Sequence, residues 1–137
     1  MGDRCTSSNV WQHLRVPVIA QIFAAVAAAL HVVIFVMESV VWSKPAVWQR
    51  FGVASQSDAD VVKPMAFNQG FYNLFLAVGI VVGLIIGGGE GEAIVVFACL
   101  SIVGAAIVLA TGGRKYFRAA FTQGITPLIA LVLTAVL

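Results

Sequence analysis

The chain has 137 residues, of which 61% are hydrophobic and only 10% are charged, whereas a soluble domain carries roughly 25% charged residues. This composition excludes an ordinary soluble protein and makes lipid the surroundings of most side chains. The net charge is only +2, and the basic residues form no tract of the kind that binds nucleic acid. We therefore expect the lipid bilayer, and not nucleic acid, as the main partner.

Four apolar runs in the sequence predict four membrane-spanning helices. They lie at about residues 17–42, 65–88, 92–111 and 117–137. Each run holds the roughly 20 residues that a helix needs to cross about 30 Å of hydrocarbon. The predicted fold is an all-α integral membrane four-helix bundle, formed as one domain by residues 17–137 behind a polar lead-in at residues 1–16. The longest predicted loop, at about 43–64, joins the first two spans.

The distribution of Lys and Arg predicts the orientation of the chain. Loops one and three carry six of the eight basic residues: Lys44, Arg50, Lys63, Arg114, Lys115 and Arg118. Only Arg4 and Arg15 lie on the other side. Because loops rich in Lys and Arg stay in the cytoplasm, we predict a multi-pass protein of the cell (inner) membrane. Loops one and three are expected in the cytoplasm, and both termini outside.

The first predicted span contains two ionisable residues on one face. His31 and Glu38 are seven positions apart, which at about 100° per residue leaves them within about 20° of each other around the helix. An ionisable group at membrane depth is costly unless it faces protein or water. The pair is therefore a candidate site.

The second span opens with the polar string NQGFYN, and the fourth span adds a glutamine near the same end. Pro127 has no N–H for the carbonyl of Gln123, four residues earlier, so that carbonyl is free to accept another hydrogen bond. Since the first two helices are antiparallel neighbours, their polar faces are expected to meet in a pocket in the cytoplasmic half of the bundle. The candidate ligand-binding residues are His31, Glu38, Asn68, Gln69, Tyr72, Asn73 and Gln123.

Three kinds of function fit this predicted pocket. It binds or transports a small molecule or cation, with His31 and Glu38 coupling occupancy to protonation. Alternatively, it is an intramembrane acid/base enzyme on a lipid-soluble substrate, with His31, Glu38 and Tyr72 as catalytic candidates. In the third hypothesis the chain is a structural or accessory subunit, whose amides join helices at about 0.6–2 kcal/mol per contact.

The sequence offers no signature of a metal or a cofactor. No Cys/His cluster is present, one interior histidine does not supply a haem with two histidine ligands, and flavin and nicotinamide motifs are absent. We therefore expect no metal site and no cofactor. Gly79, Gly83 and Gly87 are spaced by four, which predicts a smooth ridge for close helix packing, either within the chain or in a homodimer.

Several of these residues together resemble a widespread bacterial family of small integral membrane proteins, a domain-of-unknown-function family with four predicted spans. The resemblance rests on His31 and the E-x-x-x-W step from Glu38, on the Phe51-Gly52 pair, on the string N-Q-G-x-Y-N-x-F-L-A beginning at Asn68, and on Gln123 with Pro127 in the last helix. It covers nearly the whole chain apart from residues 1–15. It implies a four-helix membrane protein and carries no established activity.

Overall fold

A computed structural model of the chain describes residues 16–137. All regular elements within this range are helices. Four of them are long and apolar enough to cross a membrane: Val18–Val40, Gln56–Ile86, Gly88–Thr111 and Arg114–Val136. The prediction of an all-α membrane four-helix bundle is therefore confirmed. The predicted polar lead-in lies, except for Val16, outside the described residues.

The first span consists of helix α1, Val18–Phe35, and a π-helical segment, Val36–Val40, which we call the π-turn. Small residues, mainly alanines, and His31 form the buried stripe of α1. In the π-turn a backbone N–H bonds to the carbonyl five residues earlier instead of four, as the Val41 N–H does to the Val36 carbonyl at 3.0 Å. Such segments widen a helix locally and occur frequently at functional sites.

The connection after the first span is folded, although the sequence predicted a loop at about 43–64. It contains a short helix α2, Pro45–Trp48, and a 3₁₀ turn, Gln49–Phe51. Trp42 and Trp48 are buried against Ala59, and the Trp42 Nε1–H donates to the Ala59 carbonyl at 2.9 Å. We call this end of the bundle, which holds both tryptophans, the tryptophan end.

Helix α3, Gln56–Ile86, begins well before the predicted position of about 65. Ser55 caps it, because the Ser55 Oγ accepts from the Asp58 N–H at 3.1 Å and satisfies one of the free donors of the first turn. Pro64, which the sequence suggested as the end of a loop, lies inside the helix. With 31 residues, α3 is about 46 Å long, which exceeds the roughly 30 Å of hydrocarbon that a helix has to cross.

Helix α4, Gly88–Thr111, follows α3 after a single residue, Gly87, whose φ of 63° favours glycine. The gap between the second and third predicted spans, at about residues 88–92, is thus helical. A Cβ on Gly83 would lie 2.7 Å from the Gly91 carbonyl oxygen, so this residue of the predicted ridge packs α3 closely against α4 within the chain. A Cβ on Gly79 would lie 3.9 Å from the Ala98 Cβ, and one on Gly87 would have no neighbour within 4 Å. The end of the bundle at Gly87 is called the glycine end.

Helix α5, Phe117–Val136, follows a 3₁₀ turn, Arg114–Tyr116, and contains Pro127 in a buried position. It packs against α4 and α1, while α3 packs against α1 and α4. The four long helices therefore form a closed ring of antiparallel neighbours. The core between them is built from small residues with Ile80, Ile102 and other aliphatic side chains.

Candidate functional site

The first span and α3 approach each other closely at Gly70, at the tryptophan end. A Cβ on this residue would lie 3.1 Å from the Glu38 Cβ and 3.2 Å from the Phe35 carbonyl oxygen, and would also meet the Ser39 Oγ. Only a hydrogen in place of a side chain leaves room for the π-turn here. The glycine of the NQG string therefore sets the distance between the two helices.

Two hydrogen bonds join the π-turn to α3 beside this glycine. The Asn73 Nδ2 donates to the Glu38 Oε2 at 2.9 Å, and the Ser39 Oγ donates to the Phe67 carbonyl at 2.9 Å. Bonds of this kind between membrane helices contribute about 0.6–2 kcal/mol each. The structure thus brings together two of the predicted site residues, Glu38 and Asn73, which we call the Glu38–Asn73 site.

The Glu38–Asn73 site retains two oxygen acceptors. The Asn73 amide uses its Nδ2 twice, for Glu38 and for the Gln69 carbonyl at 3.0 Å, so its Oδ1 is left to accept. The Glu38 Oε1 is the second acceptor, and both side chains are half-buried. Within residues 16–137, no Lys or Arg pairs with this carboxylate. A half-buried carboxylate therefore meets one neutral donor and no counter-charge.

His31 lies deeper on α1, about 10 Å along the helix axis from Glu38 at about 1.5 Å per residue. The side chain is only 2% exposed, and its Nδ1 is 2.8 Å from the Ala27 carbonyl oxygen. Because a carbonyl only accepts hydrogen bonds, the Nδ1 carries a proton, and in the neutral ring the Nε2 holds the lone pair. His31 is thus a buried acceptor separate from the Glu38–Asn73 site.

The other polar side chains of the string make no hydrogen bond to Glu38 or Asn73. Asn68 and Gln69 are exposed, and Tyr72 is 57% exposed. At about 100° per residue, the four polar side chains of the string span an arc of about 140° around α3. A single contact with α1 therefore does not include all of them. The structure therefore does not gather them with His31 into one pocket, and their roles in ligand binding or catalysis stay predictions.

Gln123 is half-buried on α5, two turns from the start of that helix at the tryptophan end. Its side chain makes no bond to Glu38 or Asn73. A cleft of about 310 Å³ lies instead at the glycine end. Its lining consists of Val16, Gln21, Gly83, Leu84, Ile86, Gly87 and Gly88. The Glu38–Asn73 site is thus half-buried and lies away from this cleft.

Sequence reasoning missed Ser39 and the structural role of Gly70. Ser39 lies within the E-x-x-x-W step, and Gly70 is the glycine of the NQG string. A small hydroxyl directly after a membrane glutamate, and a glycine inside a polar string, are the signals that would have indicated a close helix contact.

Comparison with protein families gives one match: the model for a protein of unknown function (DUF1304) matches residues 25–135. The matched range holds every predicted site residue, the π-turn and the folded connection. Searches of curated proteins and of solved structures gave no match. The function therefore has to be inferred from the geometry of the site.

Proposed function

Because the chain belongs to the DUF1304 family, whose function is unknown, we propose from its own site that it binds a small monovalent cation at Glu38 in exchange for a proton. One observation carries the proposal. The Glu38 carboxylate is held at the α1–α3 contact by the 2.9 Å bond from Asn73, half-buried and without a cationic side chain beside it among the described residues.

An isolated carboxylate withdrawn from water is unfavourable, and neutralisation restores stability. A proton on Glu38 or a bound cation supplies that neutralisation, and the two compete for the same oxygens. The amide of Asn73 suits both states, since its Nδ2 steadies one carboxylate oxygen while its Oδ1 accepts from a protonated carboxyl or ligates a cation. Competition between a proton and a cation is the basis of proton-coupled exchange.

The number of ligands favours a monovalent ion. Divalent cations such as Ca²⁺ take about six to eight oxygen ligands, commonly including several carboxylates. Within residues 16–137, no group of three His, Cys, Asp or Glu side chains is placed to hold a metal ion. One carboxylate and one amide oxygen suit an ion that has a single positive charge and keeps part of its water shell.

The surroundings of the site are consistent with movement of the bound ion along the bundle. The π-turn that carries Glu38 lacks regular α-helical hydrogen bonding, and π-helical segments frequently mark functional positions. His31, deeper on the same helix, offers its Nε2 as the next acceptor for a proton. We therefore extend the proposal to proton-coupled transport, with Glu38 as the entry site and His31 as the inner proton acceptor.

Proton release on cation binding tests the proposed exchange. The purified protein in weakly buffered detergent solution is titrated with NaCl or KCl, with choline chloride as the bulky control, while a soluble dye reports the pH. We expect saturable release of protons with Na⁺ or K⁺, and none from Glu38→Gln. Glu90→Gln removes an exposed carboxylate at the glycine end and serves as the matched control. Equal release from wild type and Glu38→Gln would refute the proposal.

A purely structural role for the same residues is favoured by the two cross-helix bonds and by the fit of Gly70. The Glu38→Gln variant separates the two roles, because glutamine still accepts from Asn73 and preserves the helix contact. Under the cation proposal this variant keeps its stability and loses the cation response. Under the structural role neither wild type nor variant responds to cations, and Glu38→Ala alone is destabilised.

A further inference from the structure

The two connections at the tryptophan end meet around one tyrosine. Gly52, at the end of the first connection, lies beside Tyr116, because a Cβ there would be 3.8 Å from the Tyr116 Cε1. The Lys115 Nζ is 4.8 Å from the centroid of the same ring. Arg50 precedes Gly52 by two residues and is exposed. The segment that carries Arg50 and the ammonium group of Lys115 therefore both lie next to the Tyr116 ring.

The charge at this end is strongly one-sided. Six exposed basic side chains belong to it: Lys44, Arg50, Lys63, Arg114, Lys115 and Arg118. Of the three acidic side chains there, Asp58 and Asp60 accept hydrogen bonds from Ser55 and Gln56, and Glu38 accepts from Asn73. Among the described residues, six positive charges less three negative ones leave an excess of +3 at this end, whereas Glu90 and Glu92 are at the glycine end.

Apolar side chains directly below the basic contact face the lipid. Phe117 and Phe121, one turn apart on α5, are 53% and 67% exposed. They begin immediately after Tyr116, a residue type that is enriched where the hydrocarbon meets the headgroups. From the tryptophan end toward the middle of the bundle, the order is cationic side chains, tyrosine and exposed phenylalanines. This order matches that of the phosphate, the interface and the acyl chain of a phospholipid.

We propose that Arg50, Lys115 and Tyr116 form a binding site for the phosphate of an anionic phospholipid, with its acyl chain along Phe117 and Phe121. Guanidinium and ammonium groups donate strong, charge-assisted bonds to phosphate oxygens. The exposed phenylalanines favour a lipid over a free anion, since an acyl chain gains apolar contact with them and a free anion does not. This site is independent of Glu38 and does not rely on the proposed cation exchange.

Native mass spectrometry of bound lipid tests the site. The protein in detergent is mixed with equal amounts of phosphatidylglycerol and phosphatidylcholine, and the ratio of the retained lipids is measured. We expect a preference for phosphatidylglycerol that falls about fivefold in Arg50→Gln and in Lys115→Gln, from the attraction per basic residue near a membrane surface. Arg50→Lys, which keeps the charge, is expected to retain most of the preference.

Lys63→Gln is the matched control, because it removes one positive charge at the same end from a residue of α3 outside both connections. An unchanged preference in this variant supports a local site. Equal loss in all three glutamine variants would show a diffuse charge effect and overturn the proposal, as would no loss in any of them. If inorganic phosphate displaces phosphatidylglycerol at an equal concentration, the acyl chain contributes no affinity, the site is one for a free anion, and the lipid assignment is overturned.

Discussion

Gly70→Ala is the most direct perturbation of the contact between α1 and α3. The added methyl group would meet the Ser39 Oγ, and would lie 3.1 Å from the Glu38 Cβ and 3.2 Å from the Phe35 carbonyl oxygen. Ser39 then has to turn away from its acceptor, the Phe67 carbonyl, at a cost of about 1 kcal/mol. The backbone carbonyl yields only if the helices separate, and such overpacking costs about 1–3 kcal/mol.

Alanine also favours the helical state over glycine by about 1 kcal/mol, which offsets part of this cost. We therefore expect Gly70→Ala to lower the free energy of unfolding by about 1–3 kcal/mol. Gly104→Ala is the matched control, since a Cβ there meets nothing within 4 Å, and it should be neutral or up to about 1 kcal/mol more stable.

The assay is unfolding in detergent micelles by titration with sodium dodecyl sulfate, followed by far-ultraviolet circular dichroism. If Gly70→Ala unfolds at the same denaturant fraction as Gly104→Ala, the close contact at Gly70 contributes nothing to the free energy of unfolding. The account of the NQG string as a contact-setting element would then be refuted. Loss of the Asn73 bond to Glu38 in the same variant should also weaken the proton release described above.

Two further predictions concern other close contacts. Gly83→Ala should destabilise the protein by about 1–3 kcal/mol, because its Cβ would lie 2.7 Å from a carbonyl oxygen of α4. Gly79→Ala should be tolerated, because its Cβ would lie 3.9 Å from the nearest atom. The same denaturation assay compares the two variants, and equal stabilities would contradict the packing argument. Trp42→Phe loses a hydrogen bond to α3 and should cost about 1 kcal/mol more than Trp48→Phe, whose buried indole N–H has no partner in the described residues. Thermal unfolding measures this difference, and a larger effect at Trp48 would reverse the conclusion.

Much of the fold is predictable from the sequence because the bilayer imposes a simple rule. A run of about 20 apolar residues is sufficient for a span, so four runs give four helices, as the structure confirms. The membrane orientation predicted from the basic loops stays a prediction. The start of α3 was not predictable by the same rule, because its first turns are polar and are stabilised by the Ser55 cap and by packing against Trp42 and Trp48.

The candidate site shows where sequence reasoning reaches its limit. Helical spacing correctly indicates that Glu38 and Asn73 belong to polar faces of neighbouring helices, and the structure joins them. Spacing does not reveal the exact rotation of α3, however, and a rotation that points Asn73 inward turns Tyr72, about 100° away, toward the outside. Gly70 favours that rotation, since a side chain at its position would block the approach of the π-turn. The polar string NQGFYN therefore combines two functions: its glycine positions the helices, and its second asparagine holds the carboxylate on which the proposed cation exchange depends.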